Sequence, residues 1–298
     1  MIWIIGARGM LGTELSEMFK SISVPFIATD KEISITDHET LFQFARNRTI
    51  KFIVNCAAYT AVDKAEDEVE LCTAINVEGV ENIGKVGKQI GATVIHISTD
   101  YVFSGESIIE NGKPRPYLED DPTSPISIYG RTKLEGEKRL LSIFPESIII
   151  RTSWLYGEFG NNFVYTMLKL MNERKEISVV SDQFGSPTWT YDLAIAILQM
   201  INLSKDKQPI GIYHYSNEGE ISWYDFALEI YRLGREYEIL KENCNIKPIK
   251  TEDYPTKVKR PKYSVLSKEK IKKIGVEVPF WKDSLRNFIS GISQRYRS

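Results

Sequence analysis

Residues 2–20 read IWIIGARGMLGTELSEMFK. Four apolar residues, Ile2 to Ile5, stop at Gly6 and give way to a run whose apolar residues recur at i, i+3 and i+4. The pattern is a strand, a glycine turn and an amphipathic helix. A strand that is apolar at consecutive positions is buried on both faces, so it predicts a parallel sheet covered by helices on either side. The same rhythm returns with apolar runs at 24–29 (VPFIAT), 51–59 (KFIVNCAAY), 93–98 (TVIHIS) and 147–154 (SIIIRTSW). Helical patterns such as LGTELSEMFKSI and TLFQFARNR lie between them. The order βαβα predicts an α/β fold with a Rossmann-type, doubly wound parallel sheet.

After about residue 156 the rhythm breaks into proline- and glycine-marked loops, QFGSPTW, YHYSNEGEISW and DYPTKVKRPKYS, between shorter elements. Residues 1–156 are therefore read as a dinucleotide-binding Rossmann domain. Residues 157–298 are read as a smaller mixed α/β C-terminal lobe that binds substrate. The boundary is soft, because helices such as 161–173 can pack back onto the first unit.

Gly6, Gly9 and Gly12 stand between the first strand and the first helix with the spacing G-x-x-G-x-x-G. Glycines there allow a tight turn, let backbone N–H groups approach a pyrophosphate, and place the helix N-terminus against its charge. The second strand ends at Asp30, where a carboxylate accepts hydrogen bonds from an adenosine ribose, as NADH requires. Lys31 follows directly and Arg8 lies in the glycine loop, and either cation suits the 2′-phosphate of NADPH. The cofactor is accordingly NADPH or NADH.

The fourth strand delivers Ser98, Thr99, Asp100 and Tyr101 to its C-terminal end, where open α/β sheets bind ligands. Ser98 and Thr99 point to opposite sides, and one of these hydroxyls is placed to hydrogen-bond a substrate oxygen. About thirty residues later Tyr129 and Lys133 lie one helical turn apart at the head of a charged helix. A phenol with a pKa of ~10 is a poor acid at neutral pH. A nearby ammonium stabilises the phenolate and lowers that value by ~1–3, and Lys133 is also placed to hold a nicotinamide ribose. The pairs Tyr165/Lys169 and Tyr237/Lys241 share the spacing but follow no strand-end hydroxyl, so they read as helix surface or core. His96, inside an apolar strand, reads as a satisfied core residue. Trp154 reads equally as core or as a ligand contact beyond the fifth strand.

Of the 298 residues, 42% are hydrophobic and 26% charged, enough to bury a sizeable core. Forty acidic against 38 basic residues, with no dense basic cluster, argue against a nucleic-acid or membrane-surface partner. Cys56, Cys72 and Cys244 are scattered, which argues against disulfides and zinc and for the cytoplasm. The apolar run 1–6 is too short for a signal peptide, and no run approaches the ~20 residues of a membrane span. The expected partner is a small molecule.

G-x-x-G-x-x-G, the strand-end S-T-D and Y-x-x-x-K together resemble the extended short-chain dehydrogenase/reductase family. The matching words cover most of the chain: AAYTAVDKAE (57–66), HISTDYVFSG (96–105), DPTSP (121–125), IYGRTKLEGE (128–137), RTSWLYG (151–157), NNFV (161–164), DQFGSPTW (182–189), and RPKYS (260–264). The resemblance implies hydride delivery from NAD(P)H to C4 of a nucleotide-linked 4-keto-6-deoxy sugar, giving dTDP-L-rhamnose. It implies that Tyr129 protonates the developing alkoxide, Thr99 polarises the ketone and Lys133 holds the ribose. Gly9, Met10 and Leu11 match the pyrophosphate loop, and Ala57, Ala58 and Tyr59 the loop that runs beside the cofactor. Asp100 and Trp154 match substrate contacts, and Asn162 and Arg260 match polar positions near the nucleotide.

Some positions depart from the family pattern. Ser34 stands where relatives often carry an aspartate, and Ser267 replaces the aspartate of S-V-L-D. Some members bind Mg²⁺ through glutamates at a dimer contact; Glu14 matches one of these, the rest are not placed in this sequence, and no metal is predicted. A homodimer is compatible with the resemblance. Reduction of a different 4-keto-6-deoxy sugar nucleotide stays open. So does a non-catalytic role, since the regulatory β subunit of methionine adenosyltransferase resembles these reductases. A dehydratase is disfavoured, because Thr99 is followed by Asp100 and Tyr101 rather than by an Asp-Glu pair.

Overall fold

The computed structural model describes residues 1–204 and 209–296. Strands β1 (Ile2–Ile5), β2 (Phe26–Thr29), β3 (Phe52–Asn55), β4 (Thr93–Thr99), β5 (Ile148–Thr152) and β6 (Gly211–His214) form one sheet in the spatial order β6-β5-β4-β3-β1-β2. All neighbouring pairs are parallel. Ile4 of β1 sits in register with Ala28 on one side and Val54 on the other. The chain thus runs outward from β1 to β2, then crosses back to β3 and continues in the opposite direction. Such a reversal leaves a crevice at the carboxyl ends of the two strands flanking it, here β1 and β3.

Helices α1 (Met10–Ser21), α2 (His38–Ala45), α3 (Gly79–Ile90) and α4 (Ile128–Ile143) follow the first four strands. Alternate residues of β1 supply the two faces. Ile2 and Ile4 are buried with Leu11, Leu15 and Phe19 of α1, whereas Trp3 and Ile5 are buried with Leu41, Ile83 and Leu140 of α2, α3 and α4. The double-sided burial expected of an all-apolar strand is what the fold contains. Trp3 meets the one polar need of its side chain by donating Nε1–H to Thr29 Oγ1 at 2.9 Å.

Beyond β5 lie α5 (Phe163–Glu173), α6 (Thr190–Leu203), α7 (Trp223–Glu236) and α8 (Trp281–Tyr296). Helices α5, α7 and α8 enclose a separate core around Met167, Phe226, Leu233 and Phe288, with a short parallel pair, Glu176–Val180 and Asn245–Ile249, at its edge. Helix α6 behaves differently, burying Leu193, Ile197 and Met200 against the sheet beside α1. Its return and that of β6 mean that the sheet is completed by residues from the second half of the chain. Among the described residues no helix is long and apolar enough to cross a membrane.

One charged pair is buried between α4 and the sheet. Arg151 of β5 and Glu137 of α4 are 3% and 2% exposed, with Arg151 Nη2 donating to Glu137 Oε2 at 2.7 Å and Nε to Oε1 at 3.0 Å. Ser98 of β4 donates its hydroxyl to the same carboxylate. Breaking a buried pair by deleting one partner strands the other charge, at a cost of ~3–5 kcal/mol. Arg151→Met is expected to lower stability by about that amount in urea unfolding, and adding Glu137→Gln to recover part of it. A loss under about 1 kcal/mol for Arg151→Met would show that the pair is dispensable.

Candidate active site

Gly6 ends β1 with φ +80, a region that L side chains rarely enter, and a Cβ there would lie 2.5 Å from the Ala57 backbone nitrogen. A Cβ on Gly12, in the first turn of α1, would overlap the Gly6 carbonyl oxygen. Both glycines are therefore demanded by the protein's own packing. Gly9 is not: its Cβ would stand 3.4 Å from the nearest atom, Gly6 O, so the chain has room for a side chain there. Gly9 is the N-cap of α1 and offers no side-chain cap to the helix N–H groups. A cradle left open at a helix N-terminus fits a pyrophosphate.

Gly6, Gly9 and Arg8 form one wall of a cavity of about 550 Å³ at the crevice between β1 and β3. Asp30, Lys31 and Ser34 form another, and Ala57 and Ala58 close the third side. The Asp30 carboxylate accepts from the backbone N–H groups of Arg8 (3.0 Å) and Lys31 (2.9 Å). Arg8 Nη2 lies 3.4 Å from Glu32 Oε2, and Glu32 Oε1 accepts from the Asp30 N–H at 2.7 Å. The cavity thus brings together the carboxylate and the two cations singled out in the sequence, and Glu32 lies beside Arg8 next to it. Met10 starts α1, and Leu11 turns its side chain into the core, so only its backbone faces the loop. Tyr59 is fixed by Asn76, which accepts from the Tyr59 N–H at 2.9 Å and donates to its carbonyl at 3.1 Å. A second cavity, about 430 Å³, opens at the opposite end of the sheet by Thr93, Phe144 and Pro209 and contains none of the predicted residues.

Thr99, Asp100, Tyr129 and Lys133 lie outside the walls of this glycine-loop cavity, and each is at least nine-tenths buried. Thr99 ends β4 and donates to Asp100 Oδ1 at 3.0 Å. Ser127 caps α4 by accepting from the Gly130 N–H at 3.1 Å, which starts the helix one residue before Tyr129. The Tyr129 ring meets Tyr101 edge-on at 5.4 Å. Burial raises the Tyr129 phenol above its ordinary pKa, and a hydrogen bond with Thr99 opposes the rise only in part. This direction is opposite to that expected from Lys133. The reason is geometric: Lys133 Nζ is turned to the Ile97 carbonyl (2.7 Å) and to His96 Nε2 (3.3 Å). Burial lowers Lys133 itself to about 8, against the Glu137 carboxylate that favours its charge. Asp100 is pushed up to about 7 by burial, against hydrogen bonds from Thr99 and Ser264.

The remaining predicted residues divide. Trp154 takes φ +48, costly for a tryptophan, and stacks on Trp223 of α7 with centroids 3.5 Å apart and planes at 10°. Its indole also packs against Gly185, where a Cβ would collide with it. Asn162 caps α5: Oδ1 accepts from the Tyr165 N–H at 3.2 Å and Nδ2 donates to the Gly157 carbonyl at 2.8 Å. Both ends of that amide serve the fold. Arg260 pairs with Asp63 and lies against Tyr101, and its buried Nη1 meets no hydrogen-bond acceptor among the described residues. Glu14 is buried and accepts from Thr190 at 2.8 Å, and burial raises its pKa. Among the described residues no three His, Cys, Asp or Glu side chains converge as a metal site.

Sequence reading missed Asn55, Asn76 and Glu32. Asn76 sits in a π-helical turn, Ala74–Glu78, just before α3, and its amide also reaches Cys72 and Thr132 behind Tyr129. No residue pattern announces a π turn. Asn55 had a signal in being the polar end of an otherwise apolar strand.

A profile of the RmlD substrate binding domain family matches residues 1–293. The spore coat polysaccharide biosynthesis protein SpsK of Bacillus subtilis (strain 168) is 41% identical over 290 residues, 97% of this chain and 96% of that protein. A crystal structure of a dTDP-4-dehydrorhamnose reductase from Clostridium acetobutylicum superposes with a TM-score of 0.88 at 40% identity, covering 98% of this chain and 99% of that one. One from Bacillus anthracis, in complex with NADP, gives 0.88 at 37% identity over 96% and 97% of the two chains. With nearly its whole length matched in sequence and in fold, the chain belongs to the RmlD substrate binding domain family.

Proposed function

We propose that the protein reduces the C4 ketone of dTDP-4-dehydro-β-L-rhamnose to dTDP-L-rhamnose with NADPH or NADH, in nucleotide-sugar and cell-surface polysaccharide biosynthesis. The observation that carries this is the burial of Thr99, Tyr129 and Lys133 together beyond the glycine-loop cavity at the sheet reversal. The names of its relatives, and the NADP held by one of them, supply the substrate and cofactor. The sheet unit is read as the dinucleotide-binding part and the later elements as the substrate lobe, with α6 and β6 returned to the sheet.

In this reading Gly6, Gly9, Met10, Leu11 and Gly12 cradle the pyrophosphate, and Ala57, Ala58 and Tyr59 line the path toward the nicotinamide. Asp30 takes the adenosine ribose, and Arg8 or Lys31 takes a 2′-phosphate when one is present. When bound, the dinucleotide supplies the hydride. With substrate bound, Thr99 would turn its one hydroxyl proton from Asp100 to the ketone oxygen, and Tyr129 gives that oxygen its proton as the charge develops. A phenol kept fully protonated by burial is the right donor for this step. Lys133 in its charged form, held to the Ile97 carbonyl and directed away from the phenol, would hold the nicotinamide ribose. Asp100 and Trp154 contact the sugar, with Trp154 held in its left-handed conformation by Trp223, and Arg260 lies near the nucleotide. Tyr101 stands where elimination would need a second acid, and it packs against Tyr129 instead.

Tyr129→Phe is expected to lower kcat by ~10²–10⁴ while the protein still binds NADPH. The test follows NADPH and NADH oxidation with dTDP-4-dehydro-β-L-rhamnose. Turnover that survives in the variant removes Tyr129 from the chemistry, and a folded wild type that binds cofactor without turnover favours a different keto sugar or a regulatory role. The pH dependence has a defined sign. Lys133 is charged below its pKa of about 8, so kcat/KM should fall by about tenfold per pH unit above that value. A profile still rising at pH 9.5 contradicts a role for the ammonium.

A further inference from the structure

Behind the cavity wall a row of polar groups runs from the Ala57 N–H to the nitrogen of Lys133, and each donor and acceptor in it can be assigned. Ala57 N–H donates to Asn55 Oδ1 at 3.0 Å, which orients the amide and turns its NH₂ toward His96 Nδ1, also 3.0 Å away. An NH₂ group only donates. His96 Nδ1 must therefore accept, and the single proton of the neutral ring sits on Nε2, 3.3 Å from Lys133 Nζ. There an ammonium meets the imidazole N–H with a donor of its own. An amine accepts from that N–H and still donates to the Ile97 carbonyl at 2.7 Å. Asn55, His96 and Lys133 are 1%, 0% and 2% exposed, so water does not relieve the conflict. Every group in the row is satisfied only when Lys133 has given up its extra proton.

We propose that Asn55 and His96 are positioning residues for the reduction: Asn55 locks His96 in its Nε2–H tautomer, and that N–H weakens the grip of Lys133 on its proton. The kinetic part rests on the reductase reading, while the tautomer does not. The other titratable groups facing Lys133 are Glu137 on its own helix, Cys72 from the segment Val69–Thr73 and Cys56 just after β3. Glu137 favours the ammonium, so carboxylate and imidazole act in opposite directions on one nitrogen. Burial and the neighbouring Lys133 hold His96 well below its ordinary pKa, consistent with a neutral ring.

The first measurement is the tautomer itself, read from long-range ¹H–¹⁵N couplings in uniformly labelled protein, which has only three histidines to assign. His96 is expected to be neutral with its proton on Nε2 between about pH 6 and 9. A proton on Nδ1, or an imidazolium, overturns the proposal whether or not the protein turns over substrate. The second measurement uses Asn55→Asp, nearly isosteric, whose carboxylate accepts from both Ala57 N–H and the ring. It should move the His96 proton to Nδ1 and shift the alkaline limb of kcat/KM upward by about one pH unit. The same substitution in a His96→Phe background should shift the limb by less than half as much. An unmoved limb in Asn55→Asp, or an equal shift in both backgrounds, shows that His96 does not transmit the effect.

Discussion

A strand of four large, mainly apolar side chains is driven to be covered on both faces, and β1 is such a strand. Its four residues are covered by α1 and α6 on one face and by α2, α3 and α4 on the other, which fixes β1 inside the sheet with neighbours on both sides. Because its two neighbours are β2 and β3, the chain has to reverse direction across it. The reversal opens the crevice, and the crevice decides where a ligand can sit. Gly6 and Gly12 are consequences of the same packing, since α1 and the loop after β3 approach the end of β1 more closely than a Cβ allows. Gly9 alone is free of that demand, and it is the residue whose lack of a side chain concerns a ligand rather than the fold.

The architecture of the sheet was legible because its signals are local. Apolar runs of four to nine residues, glycine at a strand end and a helical period afterwards each depend on neighbours in sequence. The second half was harder to read for a physical reason. Helix α6 looks like any amphipathic helix, yet its apolar side packs beside α1, and β6 pairs with β5 across a separation of about sixty residues. Such pairings depend on shape complementarity between distant segments, which no window of sequence contains.

The site was legible to the extent that its chemistry resides in single side chains at element ends. Thr99, Asp30 and Tyr129 lie at the end of a strand, the end of a strand and the head of a helix, the positions their spacing assigned. Electrostatics were misread. An ammonium four residues along a helix was expected to lower a phenol, but that inference treats the pair as if they were in water and alone. Both groups are buried, so desolvation raises the phenol and lowers the amine, and the lysine is turned toward β4. Direction of a side chain and exclusion of water are tertiary properties.

The face of β4 that meets α4 shows how that tertiary arrangement is organised. Alternate residues of the strand, His96 and Ser98, carry polar side chains among apolar neighbours, and they meet Lys133 and Glu137, one turn apart on the helix. Glu137 is held by Arg151 from the next strand, which keeps a carboxylate in a dry interface. That carboxylate in turn favours the charge of Lys133. Removal of water from this interface penalises the lysine charge, and the opposed His96 N–H adds to the penalty. The proton on Lys133 is therefore held by a balance between groups from three different elements. A helix with the Y-x-x-x-K spacing but laid on an apolar strand would have the same residues and a different acid strength, which is why the spacing alone does not distinguish Tyr129 and Lys133 from Tyr165 and Lys169. In Tyr165 and Lys169 the helix surface faces solvent at the lysine and the lobe core at the tyrosine. What makes the first pair chemically useful is the polar side of the strand it covers.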